Sequence, residues 1–142
     1  MATLERALQI AVQAHAGQKD KSGAAYIFHP IRVMMRCTSP EAKIVGLLHD
    51  VVEDTSVTFE ELEAEGFSTD VLAALRLLTH ASEVPYADYI DQVKTNRIAT
   101  ETKLADLEDN MDIRRLQAVD EKAAARFKKY LAAYRVLGGM CR

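Results

Sequence analysis

The sequence of 142 residues contains only two cysteines, Cys37 and Cys141. They are unspaced for a metal and too few for a disulfide framework, so a reducing cytoplasm is the expected compartment. No apolar run approaches the length of a bilayer span, and the N-terminus carries no signal-peptide pattern, so no membrane partner is expected. Neither charge sign is in large excess: 18 Lys and Arg against 21 Asp and Glu leave a net charge of −3, which gives no electrostatic reason for a nucleic-acid partner. The local basic pairs Arg114-Arg115 and Lys128-Lys129 fit a solvated helix face about as well as a ligand contact. Strand-like alternation is almost absent, as are repeats, low-complexity tracts and linkers long enough to divide the chain.

What is present is helical spacing from end to end. Apolar residues form 49% of the chain, which is long enough to bury most of them in one domain. Leu4, Ala7, Leu8, Ala11 and Val12 form one stripe, with Thr3 as N-cap. Residues 17–25 break the pattern and read as a loop. Pro30 suits the first position of a short helix, and Ser39-Pro40-Glu41 opens the next. Thr58 and Glu61 make a capping box, with Val57 and Leu62 as a hydrophobic staple. Further helices are predicted over 69–78, 86–94, 98–116 and 121–137, the last ended by Gly138-Gly139. The expected fold class is all-α, a bundle of about seven or eight helices.

One stretch of this pattern carries chemistry. In Leu47-Leu48-His49-Asp50-Val51-Val52-Glu53-Asp54, four ionisable groups stand among residues that belong in a core. At about 3.6 residues per turn, His49 and Glu53 are one turn apart, as are Asp50 and Asp54, so all four are expected on one side of a single helix. Burying such groups is costly unless a metal or a partner compensates them. His29, in Tyr26-Ile27-Phe28-His29-Pro30, and Asp106, in Lys103-Leu104-Ala105-Asp106-Leu107, stand out in the same way. Two imidazoles and two carboxylates can hold a divalent ion with positions left open, a donor set that suits manganese, iron or zinc more than calcium. Such an ion acidifies water and polarises a phosphoryl oxygen.

His29, the His49-Asp50 doublet and Asp106 resemble the H…HD…D signature of the HD-domain metal-dependent phosphohydrolases. The words around them narrow the resemblance. Ala14-His15-Ala16-Gly17-Gln18, Ser22-Gly23, Tyr26-Ile27, His29-Pro30, the 47–55 segment and Lys103-Leu104-Ala105-Asp106 with Asn110 follow the order found in the hydrolase domain of RelA/SpoT-type alarmone enzymes, from residue 7 to 115. The resemblance implies a single HD hydrolase domain over residues 1–142, similar to the small stand-alone hydrolases, with no synthetase half. It implies that His29, His49, Asp50 and Asp106 bind one ion, usually manganese, and that Glu53 and Asp54 orient and deprotonate the attacking water. Asn110 would contact the nucleotide sugar. Lys19, Lys21 and Ser22, with Tyr26 after them, occupy the loop where the family holds base and pyrophosphate. Arg114, one turn beyond Asn110 by spacing, would reach phosphate. The implied reaction removes pyrophosphate from the 3′ position of guanosine tetra- or pentaphosphate.

Two departures fall on substrate recognition. Asp20 stands where the family usually has an Arg that stacks on guanine, and a carboxylate neither stacks in that way nor attracts phosphate. Ala25 replaces the Pro that commonly precedes the Tyr. Another nucleotide or phosphorylated metabolite, such as a nucleoside monophosphate or NADPH, therefore stays open as substrate. So does a non-catalytic nucleotide sensor, although the Glu53-Asp54 pair argues against one. A scaffold role is the third class. Oligomeric state is not legible. His15 reads as a core or supporting residue, His80 as surface, and Phe127, Tyr130 and Tyr134 as a core stripe.

Overall fold

The computed structural model describes residues 2–139, so Cys141 lies outside the described residues. The described residues are helical throughout apart from turns and one isolated bridge between Lys19 and Ala25. In chain order the elements are α1 (Leu4–Ala14), α2 (Phe28–Arg36), α3 (Pro40–Leu48), α4 (Val51–Asp54), α5 (Phe59–Ala64), α6 (Thr69–Leu78), α7 (Tyr86–Lys94), α8 (Arg97–Asn110), a 3₁₀ turn (Ile113–Arg115) and α9 (Glu121–Val136). Among the described residues eight helices have six residues or more, and α4 is a single turn. None is long and apolar enough to cross a membrane.

Local chemistry sets most of the boundaries. Thr3, Ser39, Thr58, Ser68, Asn96 and Asp120 each accept a backbone N–H from the first turn that follows, and Thr58 with Glu61 closes a capping box. Helix α3 is the centre of the bundle and packs against α1, α2, α6 and α8. It buries Ala42, Val45, Gly46, Leu47 and Leu48, nearly its whole length. Gly46 lets α2 come close: a Cβ there would lie 3.2 Å from the Met34 amide nitrogen and from a Val33 methyl. Glu101 on α8 holds the start of α3, accepting from the Thr38 amide (2.6 Å), the Ser39 amide (3.1 Å) and the Ser39 hydroxyl (2.8 Å).

Three expectations need correction. Helix α2 begins at Phe28, not Pro30, because the Phe28 and His29 amides already turn onto the Ala25 and Tyr26 carbonyls. His29 therefore sits inside the first turn. The 47–54 segment is two helices, not one. The His49 ring takes up the Gly46 carbonyl that a continuing helix would offer to residue 50, and Asp50 (φ −103°, ψ −1°) turns the chain into α4. Finally, α8 stops at Asn110. The Asp112 carboxylate caps a separate 3₁₀ turn by accepting from the Arg114 amide, so residues 111–116 do not extend the face that carries Asp106.

Candidate metal centre and its cleft

Three places in the chain bring four side chains to one point. His29 comes from the first turn of α2, His49 and Asp50 from the bend between α3 and α4, and Asp106 from α8. Asp106 Oδ1 lies 2.9 Å from His29 Nε2 and 3.2 Å from His49 Nε2. Asp50 Oδ2 lies 3.1 Å from His49 Nε2 and 3.8 Å from His29 Nε2. Both imidazoles and Asp106 are buried.

The protons on these rings decide what the cluster is suited to hold. His29 Nδ1–H donates to the Asp109 carboxylate (2.6 Å) and His49 Nδ1–H to the Gly46 carbonyl (2.6 Å), both acceptor-only groups. With the Nδ1 positions committed, the neutral rings present Nε2 lone pairs to two carboxylates. Lone pairs and anions at about 3 Å repel unless a cation or protons lie between them. The donor set thus fits a divalent cation, and the hydrogen bonds behind each ring fix the ligating nitrogen. In the ion-free protein the alternative is protonation. Burial opposes the charged form of His49, but Asp50 and Asp106 outweigh it and raise its pKa well above the usual imidazole range. Burial likewise disfavours the Asp106 anion, yet Lys103 and the two histidines hold its pKa well below the ordinary carboxylate value.

The surrounding shell is built from charged pairs. Lys103 Nζ donates to Asp106 Oδ2 (2.9 Å) and lies over the Tyr89 ring, while Asn110 Nδ2 donates to Asp106 Oδ1 (3.1 Å). The Tyr26 hydroxyl donates to Asp50 Oδ2. Asp109 is fully enclosed and accepts from Arg32 (2.7 and 3.1 Å) and Arg115 (3.0 Å) as well as His29. Sequence pattern does not single out Asp109, and it places Lys103 only in the motif around Asp106 and Arg115 only in a basic pair. Glu53 and Asp54 lie exposed on α4. Partial burial, then the charge of Asp50, raises both carboxyl pKa values above the usual range. Gln18 braces this turn: its Nε2 donates to the Asp54 carbonyl (3.2 Å), and its Oε1 lies 2.9 Å from Nδ1 of the buried His15. His80 is not a surface residue. It is half-buried, stacked on Tyr89 at 4.4 Å, with Nε2–H donating to the Val84 carbonyl.

A cleft of about 280 Å³ opens beside the cluster, lined by Lys19, Asp20, Lys21, Ser22, Tyr26, Asn110 and Arg115, with Arg126 and Tyr130 from α9. The structure therefore brings five of the six expected contact residues to one wall. Arg114 is not among them. Its side chain is 84% exposed and paired with Asp112 (2.7 Å), because the chain leaves the α8 helix before reaching it, and Arg115 faces the cleft instead. Tyr130 lines the cleft and Tyr134 donates to Glu108 (2.6 Å); both are half-buried and pack against the hydrophobic core, and Phe127 is half-buried. A larger cavity of about 700 Å³ between α1 and α5 contains none of these residues.

The chain is similar to known proteins in both sequence and fold. The chain is 45% identical over 74 residues to a guanosine-3′,5′-bis(diphosphate) 3′-pyrophosphohydrolase of Borreliella burgdorferi, covering 49% of this chain and 11% of that protein. It is 34% identical over 87 residues to the protein of that name from Aquifex aeolicus, covering 58% of this chain and 12% of the relative. The matched stretches thus span about a tenth of these relatives' length. A solved structure of a metazoan ortholog of SpoT, described as hydrolysing ppGpp with a role in starvation responses, superposes with a TM-score of 0.78 at 26% identity, over 98% of this chain and 87% of that one. No protein-family model matches.

Proposed function

We propose that this chain, an HD-type domain of the RelA/SpoT hydrolase kind, removes the 3′-pyrophosphate of guanosine tetra- or pentaphosphate with the help of one divalent ion, manganese in the first instance. The reading is carried by one observation: two Nε2 atoms and two carboxylates converge while each Nδ1 is committed behind them. His29, His49, Asp50 and Asp106 would hold the ion. When bound, it supplies the Lewis acidity that makes water nucleophilic near neutral pH and draws charge from a phosphoryl oxygen.

The chain's own groups do the rest. Glu53 and Asp54, with carboxyl pKa values raised above the usual carboxylate range by partial burial and the charge of Asp50, are suited to take a proton from the attacking water and return it to the departing oxygen. The Tyr26 hydroxyl and the Lys103 ammonium hold Asp50 and Asp106 in place and offset their charge. Lys19 and Lys21 provide positive charge for the pyrophosphate, Asn110 offers its second amide N–H to phosphate or sugar, and the Ser22 hydroxyl oxygen can accept from a sugar hydroxyl. In-line attack then needs only that the cleft hold the nucleotide with its 3′ end at the cluster.

The test is turnover by purified protein with manganese against guanosine tetraphosphate, guanosine pentaphosphate, nucleoside monophosphates and NADPH. Release of pyrophosphate from the guanosine polyphosphates is the expected result. Turnover of the other compounds alone would replace the substrate, a reading that Asp20 in the cleft favours. Nucleotide binding without turnover in any metal would replace catalysis by sensing.

A further inference from the structure

A charge pair in the cleft has no part in the chemistry above. Asp20 Oδ1 accepts from the Ser22 amide (2.9 Å), the Ser22 hydroxyl (2.7 Å) and the Ala24 amide (3.0 Å), which folds the 19–25 loop around it. Its Oδ2 lies 3.4 Å from Arg115 Nη2. The other arm of the same guanidinium, Nη1, donates to the Asp109 carboxylate and to the Asp109 carbonyl, each at 3.0 Å. Asp109 Oδ2 is also the acceptor for His29 Nδ1–H. One guanidinium therefore runs from the substrate-side loop to the carboxylate behind a histidine of the cluster.

We propose that Arg115 is a positioning residue that latches the 19–25 loop to the metal centre, setting Lys19, Lys21, Ser22 and Tyr26 in register with His29. The proposal deepens the reading of the cleft as the nucleotide subsite and rests on it for the identity of the substrate. A planar guanidinium can bridge two carboxylates; an ammonium is a single point charge and cannot span both. The pair is sheltered, with side chains 10% exposed for Asp20 and 22% for Arg115, so solvent screens it less than a surface bridge. The pairing also answers the departure seen in sequence. The Asp20 carboxylate is occupied by donors of its own loop and faces Arg115, so it repels a phosphate less than a free carboxylate would.

The experiment uses the full chain loaded with manganese, as wild type, R115Q, R115K, D20N and the D20N/R115Q double variant. Amide hydrogen exchange over residues 19–26 is read alongside steady-state kinetics on guanosine tetraphosphate. In R115Q, loop exchange accelerates and KM rises, each about tenfold, while kcat changes less than about threefold. R115K rescues neither. D20N frees the loop in the same way, and the double variant is no worse than R115Q, since both changes break one link. Wild-type exchange in R115Q and D20N overturns the latch, as does full rescue by R115K or a loss confined to kcat. Should R115Q fail to fold, D20N carries the exchange test alone. Exchange needs no turnover, so a wild-type protein inactive on guanosine polyphosphates would remove the substrate reading and leave the latch decided by loop exchange.

Discussion

Asp109 shows how a residue can govern a site without reaching its centre. It has no exposed side-chain surface, takes the His29 Nδ1 proton, and is neutralised by arginines from α2 and from the turn after α8. Asp109→Asn keeps the shape and weakens the hold on the ring, so manganese affinity measured calorimetrically should fall about 10- to 100-fold. Unchanged affinity in a folded variant would show that the ring needs no such anchor. Glu53→Gln and Asp54→Asn should lower kcat by about two orders of magnitude or more while nucleotide binding persists, because proton transfer is lost and the cluster is intact. Sequence pattern makes His49 and Asp50 conspicuous, since charged groups interrupt an apolar segment. Asp109 gives no such signal. Beside Glu108 it reads as part of a solvated acidic face, and only the depth of α8 in the bundle reveals otherwise. Lys103 is hidden for the same reason: a lysine on a helix ordinarily points to water.

Among the elements, those with a strong cap or an uninterrupted apolar stripe are legible in detail. Helix α6, capped by Ser68, runs over the residues that its pattern predicts, and α7 does so on its apolar stripe alone, with no side-chain cap at Pro85. Two of the three misplaced boundaries occur where side chains compete with the backbone for hydrogen bonds. His49 takes the Gly46 carbonyl and ends α3; Asp112 caps a new turn and ends the run of α8. The second break is why helical spacing carried past Asn110 selects Arg114 when Arg115 is the residue that turns inward. Helix α3 sets His49 and Asp50 against Asp106 only if its start stays docked on α8, and Glu101 is the tie. Glu101→Ala should cost about 1–3 kcal/mol in chemical denaturation, the usual range for hydrogen bonds to a charged group. A neutral result would mean that packing alone docks α3. At Gly46, alanine adds about 1 kcal/mol of helix propensity, but its Cβ would press on the α2 backbone. Overpacking costs about 1–3 kcal/mol, so Gly46→Ala should lower Tm or leave it level. A rise in Tm would show that α2 yields freely.

For the whole molecule, the buried charge cluster makes stability depend on pH in opposite ways with and without metal. In the ion-free protein, the His29 and His49 pKa values are raised against the pull of burial by neighbouring carboxylates. Their contribution is complete below the unfolded histidine value of about 6.5 and is lost as pH rises through the folded values. Asp106 and Asp109 are shifted down, so their contribution is complete above the unfolded carboxylate value of about 3.9 and is lost as pH falls through the folded values. Metal requires neutral imidazoles, so its binding strengthens over the range in which the ion-free histidines lose their protons. The rise in Tm on adding manganese should therefore be small near about pH 5.5 and grow steadily towards about pH 8. A shift that stays constant over that range would mean that the ion is not held by histidines.

The most direct measurement is anomalous diffraction from manganese-soaked crystals, recorded at the manganese edge. A single strong peak between His29 Nε2, His49 Nε2, Asp50 and Asp106 is the predicted result. A fully soaked crystal with no peak there, or with its strongest peak at another group of residues, would contradict it.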